Sequence, residues 1–319
     1  MEYRRLGKSG LTVSAVGLGC NNFGAANDEA ATKVVVHKAL DLGVTLFDTA
    51  EFYNKGKSEE FLGKALGPRR KDVIVATKFG LIMDAAFNMS GIASRNYILR
   101  AVETSLRNLG TDYIDLYQVH FPDATTPMEE TLSTLDALVR KGMVRYIGHS
   151  NFTGSMTADA AWAAKSNSFT PFISAQNRYS MLTRSIERDL VRACEIHGVG
   201  VLPYFPLESG LLSGKYKRGV KAGDDTRFGR WGAGMTSGFA SDEKFAQVEK
   251  LQDLAAASGC SILDVAFGWL LSRPYIGSVI AGATRPEQVE QNIKAAGWRP
   301  SEEQAKEIDA ITPPPAPHS

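Results

Sequence analysis

Short apolar runs, most of them separated by a stretch of helical periodicity, recur along this chain: Ala15–Gly19, Thr45–Phe47, Val73–Thr77, Ile114–Val119, Val144–Gly148, Phe172–Ala175, Gly200–Pro203 and Ser278–Ala281. Each is short and apolar enough to be a buried strand. Between them, Glu29–Leu42, Glu59–Leu66, Arg95–Leu109, Met128–Lys141, Thr157–Lys165 and Ser185–His197 repeat apolar residues with the period of a helix. Asn27 or Asp28 can cap the first helix, Pro127 suits a first helical position, and Gly43, Gly110, Gly142 and Gly198 follow helix ends. Repeated strand and helix imply a mainly parallel sheet covered by helices.

Two architectures satisfy that pattern, a closed (β/α)8 barrel and an open doubly wound sheet. The open sheet's dinucleotide version needs GxGxxG after the first strand, and here Gly17-Leu18-Gly19-Cys20-Asn21-Asn22 lacks the third glycine. A phosphate-binding P-loop fails too, because Gly56-Lys57-Ser58 has Glu51 where the leading glycine belongs. The expectation is therefore a single-domain (β/α)8 TIM barrel over residues 1–311, opened by an N-terminal hairpin and followed by a disordered Pro-rich tail, 312–319. Between strands seven and eight lies a long glycine-rich loop, with Lys215 to Ser241 read either as a mobile loop above a binding site or as a solvated insertion, then helices Glu243–Ala257 and Ile262–Leu271.

The charge balance, 36 Lys+Arg against 35 Asp+Glu, shows no basic excess of the kind that tracks nucleic acid or an anionic membrane surface. No run reaches the roughly 18 apolar residues of a spanning helix, and the N-terminus lacks an apolar leader, so a cytoplasmic location and a small-molecule partner are expected. A homo-oligomer is compatible with the sequence. Cys20, Cys194 and Cys260 lack metal-ligand spacing, so no metal site is expected and the three read as inert thiols.

Barrel chemistry sits where strands end. Asp48 follows the second run, Lys78 the third and His120 the fourth, while Tyr53 lies five residues past Asp48. A phenol, with a reference pKa near 10, donates a proton poorly unless its phenolate is stabilised; a lysine ammonium does that, and Asp48 keeps the ammonium charged. His120 can orient a carbonyl oxygen or relay a proton. Each residue has a plainer reading as a cap, packing residue or solvated strand end, and the shared placement at strand ends favours the chemical one. Lys78 as a Schiff-base nucleophile is the weaker alternative, because Asp48 keeps it protonated.

The stretches Phe47-Asp48-Thr49-Ala50-Glu51-Phe52-Tyr53, Ser58-Glu59, Ala76-Thr77-Lys78 and Asp115-Leu116-Tyr117-Gln118-Val119-His120 resemble the aldo-keto reductase family in order and spacing. So do Ile147–Phe152, Gln176–Tyr179, Tyr204–Leu207 and Ser209–Tyr216, and the resemblance runs from about residue 3 to 311, nearest the bacterial general-stress and potassium-channel β-subunit branch. It implies carbonyl reduction with a nicotinamide cofactor, with Tyr53 as proton donor, Lys78 and Asp48 as its tuners and His120 orienting the carbonyl. Ser150, Asn151 and Gln176 would meet the nicotinamide carboxamide and Tyr204 its ring, with Pro206, Leu207, Ser209 and Gly210 in the following loop. Lys215 and Arg227 would clamp the pyrophosphate and ribose. Gly282, Thr284, Arg285, Gln288, Gln291 and Asn292 would hold the adenosine phosphate, beside a helix opening at Pro286. Familiar mammalian members place a lysine and an arginine where Gly282 and Gln288 stand; Arg285 and Arg227 can replace that charge, so NADP(H) is preferred to NAD(H). His149 departs from the family's usual small or apolar residue and reads as a packed strand residue. Phe23, Phe52, Phe79, Phe87, Phe121 and Trp231 are candidates for an apolar substrate pocket. The channel-subunit resemblance leaves an alternative, an NADP(H)-binding redox-sensing regulatory subunit with vestigial catalysis.

Overall fold

The computed structural model describes residues 1–84, 88–220, 223, 228–229 and 240–316. After a hairpin of β1 (Tyr3–Arg5) and β2 (Thr12–Ser14) come β3 (Val16–Gly19), β4 (Leu46–Asp48), β5 (Ile74–Phe79), β6 (Leu81–Met83), β7 (Met89–Gly91), β8 (Ile114–Val119), β9 (Val144–Ser150), β10 (Phe172–Arg178), β11 (Gly200–Tyr204) and β12 (Val279–Gly282). Eight of these pair in parallel in the order β11-β10-β9-β8-β5-β4-β3-β12. The remaining seam closes just before β12: Val201 donates its N–H to Tyr275 O (2.9 Å) and accepts from Gly277 N–H (3.0 Å). The result is a (β/α)8 TIM barrel.

The N-terminal hairpin decides which end of the barrel is open. Leu6, Leu11 and Val13 pack with Leu46, Ala76, Leu116, Leu202 and Ile280, inward residues of the barrel strands, and this apolar cluster plugs the bottom. A Cβ on Gly7 would lie 2.3 Å from Gly198 O, so the plug is seated against backbone where only glycine fits. Chemistry is left to the carboxyl ends of the strands.

Helices differ from the sequence reading where tertiary bonds claim their termini. Asp28 caps the helix Glu29–Asp41 through Ala31 N–H, while Asn27 instead donates to Thr284 O (3.0 Å) across the barrel mouth. Pro127 is the N-cap of Met128–Arg140 rather than its first helical residue. The expected Ser185–His197 helix splits into a 3-10 turn, Ser185–Glu187, and a helix, Leu190–His197. Asp189, at the break, accepts from Gly154 N–H (2.7 Å) at the start of the neighbouring helix Gly154–Asn167. The long interval between the third and fourth barrel strands holds the β6–β7 hairpin, whose short runs carry no strong alternation. A last helix, Glu302–Ile311, has a capping box from Ser301 and Gln304. Beyond it Thr312 is buried, and its carbonyl accepts from Arg184 (2.6 Å). Among the described residues no single helix is long and apolar enough to cross a membrane.

Candidate active site

Asp48 ends β4 opposite Ala76 of β5, its neighbour in the barrel, and Lys78 lies two residues further along β5 on the same face, one residue short of that strand's end. Both are buried, and Lys78 has no solvent-exposed surface. Its Nζ donates to Asp48 Oδ2 (2.8 Å), to Thr49 O (2.7 Å) and to Tyr53 Oη (3.3 Å). An ammonium has three protons, and all three are used. Because Lys78 donates to the phenol oxygen, the phenol's own proton is left to point elsewhere.

Electrostatics refine the expected role of the lysine. Burial opposes the charge on Lys78, yet Asp48 and Tyr53 together raise its pKa above the usual value, so it stays an ammonium. The expectation that this ammonium makes the phenol acidic is corrected. Burial pushes Tyr53 above its ordinary value, outweighing the opposing pull of Lys78. Tyr53 is thus a phenol that keeps its proton throughout the neutral range, with the cation reducing the penalty of ionisation without abolishing it. The imidazole of His120 is driven well below its ordinary range by burial and by Lys78, so it is neutral. Its ring meets Tyr53 edge to face at 5.7 Å. Nδ1 is buried without a hydrogen-bond partner among the described residues. A neutral imidazole beside a protonated phenol is suited to orienting an oxygen, less so to supplying a proton.

The turn carrying Tyr53 is fastened to the strand carrying Lys78. Glu51 donates its N–H to Lys78 O (3.1 Å), and its carboxylate accepts from Gly80 N–H (2.8 Å) and Tyr97 Oη (2.7 Å). From behind, buried Glu59 accepts from Thr77 Oγ1 (2.7 Å) and Asn108 Nδ2 (3.0 Å). Neither bond network has a local signature, although the Glu51 and Ser58-Glu59 positions lie inside the motif that carries the resemblance.

The next strand ends extend the network. Gln176 Nε2 donates to Asp48 Oδ1 (2.7 Å), Ser150 Oγ donates to Gln176 O (2.7 Å), and Asn151 Nδ2 donates to His120 O (2.9 Å) and Ser150 Oγ (3.1 Å). Tyr204 Oη then donates to Asn151 Oδ1 (2.8 Å). The structure therefore gathers Asp48, Tyr53, Lys78, His120, Ser150, Asn151, Gln176 and Tyr204 around one mouth. Pro206, Leu207, Ser209 and Gly210 follow Tyr204 in a tight turn, and Ser209 Oγ is buried without a partner among the described residues. Exposed Lys215 folds back so that a Cβ on Gly210 would lie 3.0 Å from its Nζ.

At the β12 corner, Gln288 Oε1 accepts from Thr284 N–H (2.7 Å) and Thr284 Oγ1 (3.2 Å) beside the helix Pro286–Ala295. Exposed Gly282 faces Asn22, where a Cβ would lie 3.2 Å from Nδ2. Arg285 and Gln291 are exposed, whereas Asn292 is buried. Arg227, Phe87, Trp231 and most of the expected loop fall outside the described residues.

Of the apolar candidates, Phe23 and Phe79 are wholly buried, the latter packed on Tyr117 at 4.7 Å. Phe52 is half-buried and lies edge to face on His120 at 6.4 Å, and Phe121 is half-buried. His149 is a buried core residue, stacked on Phe152 at 4.5 Å with its pKa lowered by burial to about 3. Cys20, whose N–H donates to Asp48 O (2.8 Å), lies under the site with its thiol pushed well up by burial, hence unreactive. A hollow of about 310 Å³ framed by Met181, Arg184, Gln247 and Pro313 contains none of the mouth residues.

Comparison with known proteins agrees with this geometry. The profile described as the Aldo/keto reductase family matches residues 15–313. A probable voltage-gated potassium channel subunit beta of Arabidopsis thaliana is 35% identical over 92% of this chain and 91% of that protein. The L-glyceraldehyde 3-phosphate reductase of Escherichia coli K12 is 34% identical over 92% of this chain and 87% of that protein. An uncharacterized oxidoreductase of Bacillus subtilis, YrpG, is 35% identical over 99% of this chain and 97% of that protein.

Proposed function

The chain belongs to the aldo/keto reductase family, and from that premise we propose that it interconverts aldehydes or ketones with alcohols, using NADP(H) in preference to NAD(H). The observation that carries the reading is the buried Lys78, whose three protons go to Asp48, Thr49 O and Tyr53 Oη, leaving the phenol proton for a substrate oxygen.

The chain's own groups fit a dinucleotide. Ser209 Oγ is a buried polar atom without a partner among the described residues, and Gly210 beside it has a φ of 101° that L side chains rarely adopt. Ser150, Asn151 and Gln176 would hold the nicotinamide amide and Tyr204 its ring, and the β12 corner with Arg285 would take the adenosine phosphate. Asn151 already has Nδ2 on His120 O and Oδ1 under Tyr204 Oη, so it would exchange one of these bonds on binding. When bound, the nicotinamide supplies or accepts the hydride.

The protein's part is positioning and proton transfer. Neutral His120 orients the carbonyl oxygen at the mouth. Tyr53 gives that oxygen its proton as negative charge develops there, and the Lys78 ammonium stabilises the phenolate that remains; in the alcohol direction the same phenolate takes the proton back. Asp48 holds the ammonium in place. The half-buried rings of Phe52 and Phe121 suit an apolar or ring-bearing carbonyl compound. The same reading places the enzyme in the cytoplasm.

Purified protein with NADPH and 4-nitrobenzaldehyde should consume the reduced-nicotinamide absorbance. Tyr53→Phe should slow this by roughly 10²- to 10⁴-fold, the usual contribution of a positioned acid, while fluorescence titration still detects cofactor. An undiminished rate in Tyr53→Phe refutes the assignment. The channel-subunit relative supports a second reading, a redox-sensing regulatory subunit. Tight cofactor binding without turnover on a broad carbonyl panel would favour it.

A further inference from the structure

The turn after β11 is bent through left-handed backbone at Phe205 (φ 52°), Glu208 (46°), Ser209 (57°) and Gly210 (101°). Only the glycine takes that conformation freely, so the other three need an external hold. Glu208 provides it. Its carboxylate, with no exposed surface, accepts from Ser180 Oγ (3.0 Å), Thr183 Oγ1 (2.9 Å), Lys244 Nζ (2.6 Å) and the Arg178 guanidinium. Arg178 ends β10, Ser180 and Thr183 follow it, and Lys244 lies in the first turn of the helix Asp242–Ala257. One carboxylate thus ties the turn to the neighbouring strand end and to the helix Asp242–Ala257, which precedes Ile262–Leu271 in the interval between β11 and β12.

Resting on the dinucleotide reading above, we infer that Glu208 is the positioning residue for the cofactor's diphosphate. It acts through the turn: the buried ion cluster holds Ser209, whose hydroxyl is unpartnered among the described residues, and Gly210 in the one backbone conformation that leaves them available, and Lys244 couples that conformation to the first turn of the helix Asp242–Ala257. A buried charge cluster is costly to assemble and held by geometry, which makes it a stiff support. Glu208 itself touches no cofactor atom in this scheme.

The sign of the effect separates positioning from charge attraction. Removing the carboxylate makes the surroundings more positive by one charge, so attraction alone predicts tighter binding of an anionic dinucleotide. Positioning predicts weaker binding. In full-length protein, NADPH and NADH binding by fluorescence titration, and release by stopped flow, would be measured for wild type, Glu208→Ala, Lys244→Met and the double variant, with folding checked by circular dichroism. Glu208→Ala should raise the NADPH Kd and KM by about tenfold or more, with kcat falling less than about threefold, the split expected when ground-state binding is lost. Lys244→Met should speed release by about threefold, and in the Glu208→Ala background it should add little, because the two act as one unit. Unchanged or tighter binding in folded Glu208→Ala overturns the inference, as does full additivity of the two changes. Should Glu208→Ala fail to fold, a wild-type release rate in Lys244→Met overturns it alone. A wild-type protein that binds neither dinucleotide removes the functional reading and this inference together, a result distinct from binding that ignores Glu208.

Discussion

Replacing Asp48 by Asn isolates the buried ion pair on which the site is built. Asp48 accepts from Lys78 Nζ through Oδ2 and from Gln176 Nε2 through Oδ1. Asparagine has one acceptor oxygen, so keeping it on Lys78 turns its Nδ2 toward Gln176, whose amide must flip to accept. The larger loss is the counter-charge. Lys78 has no exposed surface, and breaking a buried pair by removing one partner costs about 3–5 kcal/mol. That cost carries a pH signature. In the wild type the folded-state pKa of Lys78 is raised, so its contribution is fully present below the unfolded value of about 10.4 and is lost only as pH climbs through the folded value. In Asp48→Asn, burial acts without Asp48 and drives the folded-state pKa below that of the unfolded chain. The unfolded state then binds more protons, so the variant gains stability as pH rises toward about 10, by up to about 1.4 kcal/mol per pH unit. Urea denaturation of both proteins from about pH 7 to about pH 10 should show the stability gap narrowing steadily. A gap that stays constant would mean that Asp48 contributes packing or shape alone, and the electrostatic account of the site would fail.

Three other outcomes follow from the same structure. Because burial raises the Tyr53 pKa, the phenol is protonated at neutral pH: carbonyl reduction should hold its rate until above about pH 10, while alcohol oxidation, which needs the phenolate, should climb with pH over that span. A steady-state profile in both directions with oxidation peaking near neutrality would contradict this. His149 is buried neutral with a folded pKa of about 3, so the unfolded chain binds its proton first and stability should fall by up to about 1.4 kcal/mol per unit below about pH 6.5; His149→Phe should flatten that slope in acid denaturation curves. Gly80→Ala would place a Cβ 2.3 Å from Ile92 O at a residue with φ +84°, and should cost roughly 1–3 kcal/mol in chemical denaturation, together with activity, because Gly80 N–H anchors Glu51 beside Tyr53; a neutral substitution would show that the hairpin base yields.

Much of this protein is legible one segment at a time. The apolar runs ending at Phe47, Thr77 and Val119 place Asp48, Lys78 and His120 at successive strand ends, since a buried strand is marked by local apolarity and the residue just past it reaches the barrel mouth. The missing third glycine after Gly19 likewise argues for closure before any coordinates are seen. The split at Asp189 was not legible, because its carboxylate serves Gly154 on another helix, and neither was the β6–β7 hairpin, where no alternation marks the strands.

The succession of strands and helices and the strand-end positions of Asp48, Lys78 and His120 are properties of the chain as written, because periodicity and apolarity act over a few neighbours; the pairing order and the closing seam between Val201 and the segment before β12 were decided by the fold. The folded molecule alone decided that Lys78 spends a proton on Thr49 O, that Tyr53 holds its proton more tightly than a free phenol, and that residues 178, 180, 183 and 244 converge on Glu208. Desolvation and charge pairing sum over every element packed around a group, so they take their values only once distant segments are brought together.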